Sequence, residues 1–404
     1  MEKNISADRA EKMLFALPVK SETEAVSVLE ACGRILARDI TAEIPVPPFD
    51  RSPYDGYAFR GEDTENATRE NPALLKITEE IPAGSVPQFE IKNGQTAKIL
   101  TGAPMPKGAN ATIKYEDTEF SDTEVRIFAR ITPDTDIVYA GEDVKRGDIV
   151  ARRGSVVTPP VMGAAASQGM GTVEVVRRPV ISIINTGSEL CEVGEPLRPA
   201  AIYNSNVYTL SGYLSQMGAA AVNRGTVPDE PKEIAARIKK ELETSDMVIT
   251  TGGASVGDYD WAVTASEMAG AEILFWKVNM KPGGSIMAAV KDGKVILGLS
   301  GSPGAAILGL LRLASPYIKK LCGRDECYPK TFEALLTKPA KKSGDKVRIL
   351  RGKTEISDAH AYFVENDKRG NATVTSFIGG DAIAEIPENS PSLPAGARVR
   401  VYMY

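Results

Sequence analysis

The stretch that decides the fold runs Val248-Ile249-Thr250-Thr251-Gly252-Gly253-Ala254-Ser255-Val256-Gly257-Asp258-Tyr259-Asp260. It reads as an apolar strand, a glycine-rich turn that carries a hydroxyl, and two carboxylates just before a helix. Glycines let backbone N–H groups approach a ligand closely, and such a nest of amides suits a phosphate. Asp258 would hold the cation that accompanies the phosphate. An ordinary turn between a strand and a helix is the alternative interpretation.

A second unit of the same kind runs Val295-Ile296-Leu297-Gly298-Leu299-Ser300-Gly301-Ser302-Pro303-Gly304. It is again an apolar strand, a turn of small residues, and the start of a helix. Either turn alone would be read as structural. Two such turns in one sheet, together with Asp258, favour a single crevice for an anionic ligand at the carboxyl ends of the strands.

Strands alternate with helices around these two turns, from Pro179 to about Cys327. The apolar runs predict strands at 180–184, 220–226, 247–250, 272–278 and 295–299. Helical periodicity predicts helices at 207–217, 230–242, 261–268 and 305–319. Such alternation is typical of a doubly wound parallel sheet covered on both faces.

The chain has 404 residues, which is too many for one hydrophobic core, so several domains are expected. A capping box, Ser21-x-x-Glu24, predicts a helix that ends at Gly33. Prolines, glycines and short β-rich runs then dominate from residue 46 to 143. We divide the chain into an N-terminal helical and linker domain (1–45 and 144–178), an inserted β-rich domain (46–143), an α/β domain (179–327) and a C-terminal β domain (328–404).

Composition restricts the chemistry. His360 is the only histidine, and the four cysteines are scattered without a Cys-x-x-Cys pair. Histidine-rich zinc sites are therefore excluded, and a Ser-His-Asp triad is not expected. Any reaction must rest on carboxylates, lysines, hydroxyls, backbone amides and a hard cation such as Mg²⁺.

Charge and hydropathy restrict the partners. The formal net charge is −5 and no block of Lys or Arg stands out, so nucleic acid is not an expected partner. No apolar run is long enough for a bilayer, and residues 1–4 lack the apolar core of a signal peptide. We expect a cytoplasmic protein without membrane contact.

Candidate residues near the predicted crevice each have a structural alternative. Glu189 follows the first strand of the sheet and would share a cation with Asp258, although a plain turn is equally consistent. Asp229 is a good helix N-cap, and a cap at the end of a strand is compatible with ligand binding. Lys277 and Lys281 lie where an apolar strand becomes a turn, which is unusual for lysines and suggests an anion to neutralise.

Three loops of the N-terminal half carry further polar residues. Asp55 lies in a polar, aromatic loop from Pro47 to Ala58, where Asp55-Gly56 is also a hairpin turn signal. Thr101 and Asp143 each lie close to a glycine in a predicted turn. From their chemistry alone, the structural interpretation is favoured for all three.

Taken in order, these segments resemble the molybdopterin molybdenumtransferase family of molybdenum-cofactor synthesis, over nearly the whole chain. The segments that carry the resemblance are Phe49-Asp50-Arg51-Ser52-Pro53-Tyr54-Asp55-Gly56-Tyr57-Ala58, Leu100-Thr101-Gly102-Ala103-Pro104, Gly141-Glu142-Asp143-Val144, Thr186-Gly187-Ser188-Glu189-Leu190, Thr251 to Asp260, Lys277-Val278-Asn279-Met280-Lys281-Pro282-Gly283, and Gly301-Ser302-Pro303. The Thr-Gly-Gly loop with its Gly-Asp is shared with other molybdopterin-binding domains. The combination of the Asp-Gly-Tyr-Ala loop with a C-terminal β domain is specific to the family.

The resemblance implies a multidomain α/β plus β protein, with a central doubly wound molybdopterin-binding domain and flanking β-rich domains. The implied activity is Mg²⁺-dependent insertion of molybdate into adenylylated molybdopterin, with release of AMP. The family pattern places Mg²⁺ at Glu189 and Asp258. It assigns catalytic roles to Asp55, Thr101, Asp143, Asp229, Lys277 and Lys281, and substrate binding to Gly252, Gly253, Ser255, Gly257, Ser302, Pro303, Arg348 and Ser376.

In the family, the small β domain reaches the cleft of the partner subunit. The resemblance therefore implies a homodimer with a composite active site, because Asp55 and Thr101 belong to that domain. It leaves open contact with other proteins of molybdenum-cofactor synthesis.

The chain departs from the family pattern at four places. Ser302 stands where many members have Asn, and Gly284 stands where many have a further Lys. Ser188 replaces a common Asp, and Tyr54 replaces a common Met. The first two changes lie at the oxyanion end of the implied site and bear on the choice between molybdate and tungstate.

Three rival functions stay open at this point. One is a non-catalytic molybdopterin-binding or scaffold protein, which would not need an intact set of acids. Another is a paralogue that uses tungstate. The third, a molybdopterin adenylyltransferase, shares only the central domain, and the flanking β domains argue against it.

Overall fold

The crevice-bearing sheet is the centre of the computed structural model, which describes residues 1–253, 261–342, 344–368, 370 and 372–404. In these described ranges the sheet has seven strands, in the order Glu2–Ile5, Glu272–Val278, Met287–Lys291, Lys294–Leu299, Met247–Thr251, Val180–Thr186 and Ala220–Val227. Neighbouring strands are parallel except at Met287–Lys291, which is antiparallel to both of its neighbours. The predicted class, α/β with flanking β-rich domains, is confirmed, but the sheet is mixed and not all parallel.

The strand Met287–Lys291 was missed by the prediction. It forms a hairpin with Lys294–Leu299, and Asp292 and Gly293 at the turn both have positive φ, 52° and 78°. An Asp-Gly pair between apolar runs is a strong hairpin signal. The signal was therefore present in the sequence.

Helices cover both faces of this sheet, at Asn206–Met217, Pro231–Thr244, Trp261–Met268, Pro303–Gly309 and Ser315–Leu321. Gly218 ends the first of them in the left-handed conformation, with φ of 105°. The predicted helix 305–319 is interrupted by a π-helical turn, Leu310–Ala314. Pro316 follows this turn and has no N–H for the carbonyl four residues earlier, which accounts for the change of helical pitch.

The first residues belong to the central domain, which corrects the predicted N-terminal domain of 1–45. Glu2–Ile5 extends the sheet parallel to Glu272–Val278. The helix Ala7–Phe15 buries Ala7, Ala10 and Leu14 in the same hydrophobic core as the sheet. Apolar residues three and four positions apart form one helix face, and that face packs on the central domain.

The helix predicted after Ser21 is also wrong. Residues Thr23–Ser27 form a strand that pairs antiparallel with Thr172–Val176, and a short 3₁₀ helix, Val28–Glu30, follows. The capping pattern was overridden by a pairing partner that lies far along the chain. A local signal cannot report such a partner.

Two β-rich units flank the central domain. The inserted unit is a sheet of Gly56–Phe59, Ala73–Ile81, Gln95–Ile99, Ala111–Lys114, Thr118–Phe120 and Glu124–Ile127. The C-terminal unit contains Thr331–Leu336, Val347–Ser357, His360–Glu365, Ala382–Ile386 and Arg398–Met403. It closes on itself because Val347–Ser357 pairs with both His360–Glu365 and Ala382–Ile386. Smaller elements are Ile40–Thr41 paired with Ile149–Ala151, the helix Pro159–Ser167, and Leu190–Cys191 paired with Ile202–Tyr203.

The C-terminal unit is attached to the central domain by strand pairing. Met280 and Lys281 pair in parallel with Val347 and Arg348. This pairing brings a loop of the C-terminal unit beside the turn that follows Glu272–Val278. None of the helices in the described ranges is both long and apolar enough to cross a membrane.

Candidate active site

A cleft of about 300 Å³ opens where three parallel strands of the central sheet end. The strands are Val180–Thr186, Met247–Thr251 and Lys294–Leu299, and both predicted glycine turns contribute to it. We call it the glycine-turn cleft. Its lining residues are Thr186, Gly187, Glu189, Leu190, Ile202, Asn206, Asp229, Thr251, Gly252, Gly253, Ser300, Gly301 and Ser302. The predicted single crevice at the strands' carboxyl ends is present.

The two turns touch each other, and this contact requires glycine. Gly252 has φ of +93°, and a Cβ there would lie 2.5 Å from the carbonyl oxygen of Thr186. A Cβ on Gly301 would lie 3.3 Å from the Cα of Gly252. Gly252 can therefore pass between Thr186 and Gly301 only without a side chain, which leaves its backbone near the cleft.

Two carboxylates reach this cleft from different elements. Glu189 is exposed in the loop after Val180–Thr186, and Asp229 is exposed in the loop before Pro231–Thr244. The N-cap predicted for Asp229 is wrong, because Glu230 occupies the cap position, and among the described residues no side chain caps this helix. Pro231 starts the helix one residue later, so the Asp229 carboxylate faces the cleft instead of the helix end.

Buried polar atoms beside the cleft lack protein partners. In the described ranges, the Thr186 hydroxyl, the Asn185 amide nitrogen and the Thr250 hydroxyl are buried without a hydrogen bond. Thr186 lines the cleft directly. Buried polar groups are normally hydrogen-bonded, so a buried hydroxyl without a protein partner at a cleft is consistent with a ligand that forms the missing hydrogen bond.

Arg198 holds the loop that carries Glu189. Its guanidinium donates to the carbonyl oxygens of Ser188 at 3.1 Å and Leu190 at 2.8 Å, on either side of Glu189. Its Nε also donates to the Sγ of Cys191 at 3.2 Å, and hydrogen bonding from Arg198 lowers the pKa of the Cys191 thiol. Three contacts from one side chain thus fix the backbone around the carboxylate.

A second cleft of about 500 Å³ adjoins the first, and Ser300 lines both. We call it the lysine cleft. Its lining residues are Asn4, Lys277, Met280, Lys281, Pro282, Gly283, Gly284, Ser285, Ser300, Ala305, Gly344, Asp345 and Lys346. Lys277 has a positive φ of 65°, and its Nζ lies 4.2 Å from the centre of the Trp276 ring, a cation–π distance. Both predicted lysines therefore lie in one cleft beside the glycine turns.

Two residues of the lysine cleft were missed by the prediction. Asn4 comes from the N-terminal strand, and Lys346 comes from the loop before Val347–Ser357. Neither belongs to a local pattern that indicates function, because each is placed by pairing with a distant strand. Lys346 supplies a third lysine to the cleft that Gly284 also lines.

Gly284 itself has no room for a side chain. A Cβ there would lie 2.4 Å from the carbonyl oxygen of Met280 and 2.5 Å from that of Val278. Both contacts are with backbone, which cannot move without breaking the turn. In this chain, glycine at 284 is required by packing.

Three predicted substrate-binding residues lie outside the two clefts in the described part of the structure. Arg348 pairs through its backbone with Lys281, and its guanidinium lies 3.6 Å from the carboxylate of Glu365. Ser376 is fully buried, and its hydroxyl donates to the carbonyl oxygen of Thr373 at 2.6 Å. Pro303 begins the helix after Ser302.

Asp55 and Thr101 are brought together, away from both clefts. The Asp55 carboxylate accepts hydrogen bonds from the Thr101 backbone N–H at 2.8 Å and its hydroxyl at 2.7 Å. These bonds, the backbone one foremost, lower the pKa of Asp55. The hairpin alternative for Asp55-Gly56 is wrong, because Gly56 already begins the strand Gly56–Phe59.

Neighbouring loops fix this pair and Asp143 in one region. The Gly102 N–H donates to the Ser52 carbonyl at 2.9 Å, and the Asp143 N–H donates to the Val46 carbonyl at 3.0 Å. Tyr54 donates to Asp136 and lies beside Lys114, whose Nζ is 5.2 Å from its ring centre. The departure at Tyr54 therefore adds a hydrogen bond within this domain.

Ser255, Gly257 and Asp258 lie outside the described residues, so their predicted roles stay predictions. Within the described ranges, no three His, Cys, Asp or Glu residues form a group that would hold a metal ion. A Mg²⁺ site would need donors beyond Glu189 and Asp229, and phosphate oxygens and water are the usual ones for this ion.

Fold and clefts together define a multidomain protein whose central α/β domain carries two adjoining clefts. Three family models match the chain: "MoeA N-terminal region (domain I and II)" over 5–169, "Probable molybdopterin binding domain" over 182–320, and "MoeA C-terminal region (domain IV)" over 333–404.

Known relatives resemble the chain over almost its full length. The molybdopterin molybdenumtransferase of Staphylococcus epidermidis is 34% identical over 99% of this chain and 95% of its own. The Bacillus subtilis (strain 168) protein of that name is also 34% identical, over 99% of this chain and 94% of its own. The crystal structure of the molybdopterin biosynthesis moeA protein from Pyrococcus horikoshii OT3 is 29% identical, with a TM-score of 0.84 over 99% and 100% of the two chains.

This chain belongs to the molybdopterin molybdenumtransferase family. It is a transferase of molybdenum-cofactor biosynthesis, and the resemblance drawn from its sequence is confirmed.

Proposed function

We propose that this protein inserts molybdate into adenylylated molybdopterin in a Mg²⁺-dependent reaction that releases AMP. The observation that carries the proposal is the junction of the two clefts. A glycine-lined cleft suited to phosphates and a lysine-lined cleft suited to an oxyanion share Ser300. Two anionic substrates can therefore lie side by side.

Among the described residues Glu189 and Asp229 would hold Mg²⁺, and Asp258 would complete the proposed set. Their chemistry fits the ion, since Mg²⁺ prefers carboxylate, phosphate and water oxygens. When bound, the ion would neutralise phosphate charge and support departure of AMP. The backbone of Gly252 and Gly253 would lie against the same phosphates, and the Thr186 hydroxyl would donate to them.

The lysines would hold and orient molybdate. Lys277, Lys281 and Lys346 line one cleft, and in the described ranges none of the three forms an ion pair with a carboxylate. Asp345 is the one acidic residue in the described lining, so the cleft has an excess of positive charge. An oxyanion that enters would be attracted by this charge and held next to the phosphate site.

The proposed homodimer would give Asp55, Thr101 and Asp143 a place in the active site. In the part of the chain that the structure describes, they do not line either cleft, so a composite site needs the β-rich domain of a second copy. Three further expectations belong to the proposal. The protein would be cytoplasmic, Arg348 and Ser376 would lie near the oxyanion, and other proteins of cofactor synthesis would contact this one.

The decisive experiment incubates purified protein with adenylylated molybdopterin, Mg²⁺ and either molybdate or tungstate, and measures AMP release and metal in the product. We expect AMP release to need both Mg²⁺ and an oxyanion. Glu189→Gln should raise the Mg²⁺ requirement and cost at least about tenfold in rate, because a charged ligand is lost.

The matched control is Glu195→Gln, a change of an exposed acid in the same loop region that leaves the cleft lining intact. Normal AMP release by Glu189→Gln would contradict the assignment of this carboxylate. Binding of the adenylylated pterin without any turnover of the wild-type protein would support the scaffold alternative instead.

A further inference from the structure

A third cavity lies between the helices of the central domain and the C-terminal unit, apart from both clefts. Its volume is about 210 Å³. We call it the junction cavity. Its lining residues are Tyr213, Gln216, Met217, Leu311, Arg312, Ser315, Lys319, Arg324, Pro329, Ile383, Tyr402, Met403 and Tyr404. Within the described ranges it shares no residue with the glycine-turn cleft or the lysine cleft, so the proposed reaction does not account for it.

The charge of this cavity is unbalanced. Its described lining includes three basic residues and no Asp or Glu. Arg312 is neutralised from outside the cavity by Asp8, Glu11 and Glu385. Lys319 and Arg324 have no carboxylate within ion-pair distance in the described ranges, so two positive charges face the space uncompensated.

Burial makes this arrangement costly. Desolvation lowers the pKa of Lys319, and the charge of nearby Arg324 acts in the same direction. One Nη of Arg324 donates to the Gln216 carbonyl at 3.1 Å, but its Nε is buried without a partner among the described residues. Cations held this way are stabilised by an anion that enters between them.

The rest of the described lining is largely aromatic and apolar. The rings of Tyr213 and Tyr404 meet edge to face, with centroids 6.0 Å apart. The Tyr402 hydroxyl donates to Glu385 at 2.7 Å, whereas the Tyr404 hydroxyl is buried without a partner in the described part of the chain. Tyr404 therefore offers a ring face to an apolar group and a free donor to an oxygen.

We propose that the junction cavity binds a small carboxylate that carries one apolar ring. The carboxylate would lie near Lys319 and Arg324, and the ring would pack against Tyr213 and Tyr404. The volume is below the roughly 300–1,000 Å³ of pockets for larger ligands, which favours a single ring over a nucleotide. The apolar wall favours such a molecule over inorganic phosphate.

Both domains contribute to this cavity, so occupancy should stabilise their junction. Leu311 and Lys319 belong to the helical layer, and Ile383 and Tyr404 belong to the C-terminal unit. A ligand that binds only the folded form raises the melting temperature as its concentration exceeds its dissociation constant.

The test titrates the full-length protein with 4-fluorobenzoate, followed by ¹⁹F NMR and by thermal melting. We expect saturable binding that Lys319→Met weakens about tenfold, because a charged hydrogen-bonding partner is lost. Tyr404→Phe should weaken it severalfold. Lys330→Met, a change of a nearby exposed lysine outside the lining, should bind as the wild type does.

Unchanged binding in both Lys319→Met and Tyr404→Phe would overturn the proposal. It would also be overturned if inorganic phosphate displaced the probe at equal concentration, because the site would then select charge alone. If Lys319→Met does not fold, Lys319→Gln replaces it in the binding test. Loss of probe binding in Lys319→Gln with AMP release intact would support a site separate from the reaction.

Discussion

At the scale of single residues, Asp55 and Thr101 form a polar contact outside the two clefts. Two hydrogen bonds from Thr101 hold the Asp55 carboxylate and lower its pKa. A carboxylate whose pKa is lowered by folding stabilises the fold at pH values above its ordinary pKa of 3.8. That contribution is lost as the pH falls through the lowered pKa of the folded state. Asp55 is therefore charged throughout the neutral range.

Thr101→Val tests what this contact does. The variant keeps the backbone donor and loses the hydroxyl, so the pKa of Asp55 should rise toward its ordinary value while Asp55 stays ionised at neutral pH. We expect AMP release to fall about tenfold, from the loss of one hydrogen bond to a charged group. Because protonation is not the cause, raising the pH should not restore activity.

Thr101→Ser is the matched control, since it keeps the hydroxyl and should retain most activity. NMR titration of the carboxylate measures the pKa directly. Recovery of the Val variant at high pH would show that protonation, and not orientation, is what Thr101 controls.

Lys346 is the residue that we expect to compensate for Gly284 at the proposed oxyanion end of the site. We expect Lys346→Ala to raise the molybdate concentration for half-maximal activity by about three- to tenfold, because one of three lysines is removed. The effect should shrink with added salt. Lys341→Ala is the control, because Lys341 is an exposed lysine of the same segment outside the described lining of the lysine cleft.

Gly284→Lys should not add a useful cation. Its Cβ would lie 2.4 Å from a backbone oxygen, so we expect a lower melting temperature and no gain in molybdate affinity. A stable Gly284→Lys variant with a lower molybdate requirement would contradict this account of the turn.

At the scale of elements, the loop after Val180–Thr186 depends on Arg198. Arg198→Lys keeps a positive charge but cannot make all three contacts with Ser188, Leu190 and Cys191. We expect the Mg²⁺ concentration for half-maximal activity to rise about three- to tenfold, since the backbone on both sides of Glu189 loosens. Arg153→Lys, a change of an exposed arginine in another domain, is the control.

A purely structural role for Arg198 would give a different result. The melting temperature would fall while the Mg²⁺ dependence of the remaining activity stayed unchanged. Measuring both quantities on the same variant separates the two roles.

At the scale of the whole molecule, the positions of the polar groups favour a composite site. The pair Asp55–Thr101 belongs to the inserted β-rich domain, whereas Glu189 lies in the glycine-turn cleft of the central domain. Mixing Asp55→Ala with Glu189→Gln, two variants that are each impaired on their own, should raise the activity to roughly a quarter of the wild-type value, because half the dimers are mixed and each has one intact site.

Mixing Asp55→Ala with Thr101→Ala is the control. Both changes lie in the same domain, so each composite site of a mixed dimer stays defective and no activity should return. Light scattering that finds only monomers would contradict the composite site, as would no recovery after confirmed subunit exchange.

Much of this architecture could be predicted because it depends on local sequence patterns. The helices Asn206–Met217 and Trp261–Met268 follow from helical periodicity, with Gly218 ending the first. The strand Met247–Thr251 and its glycine turn follow from an apolar run that stops at Gly252. The two glycine turns indicated a crevice because parallel strands end at one edge.

By itself, then, the sequence determined the α/β centre, its β-rich flanks, the glycine-turn crevice and the family. Tertiary structure alone decided that Glu2–Ile5 joins the central sheet, that Lys346 lines the same cleft as Lys281, and that Asp229 faces a cleft instead of capping a helix. The physical reason is sequence distance. Local periodicity reports which face of an element is apolar, but only packing and strand pairing decide which distant residue meets it.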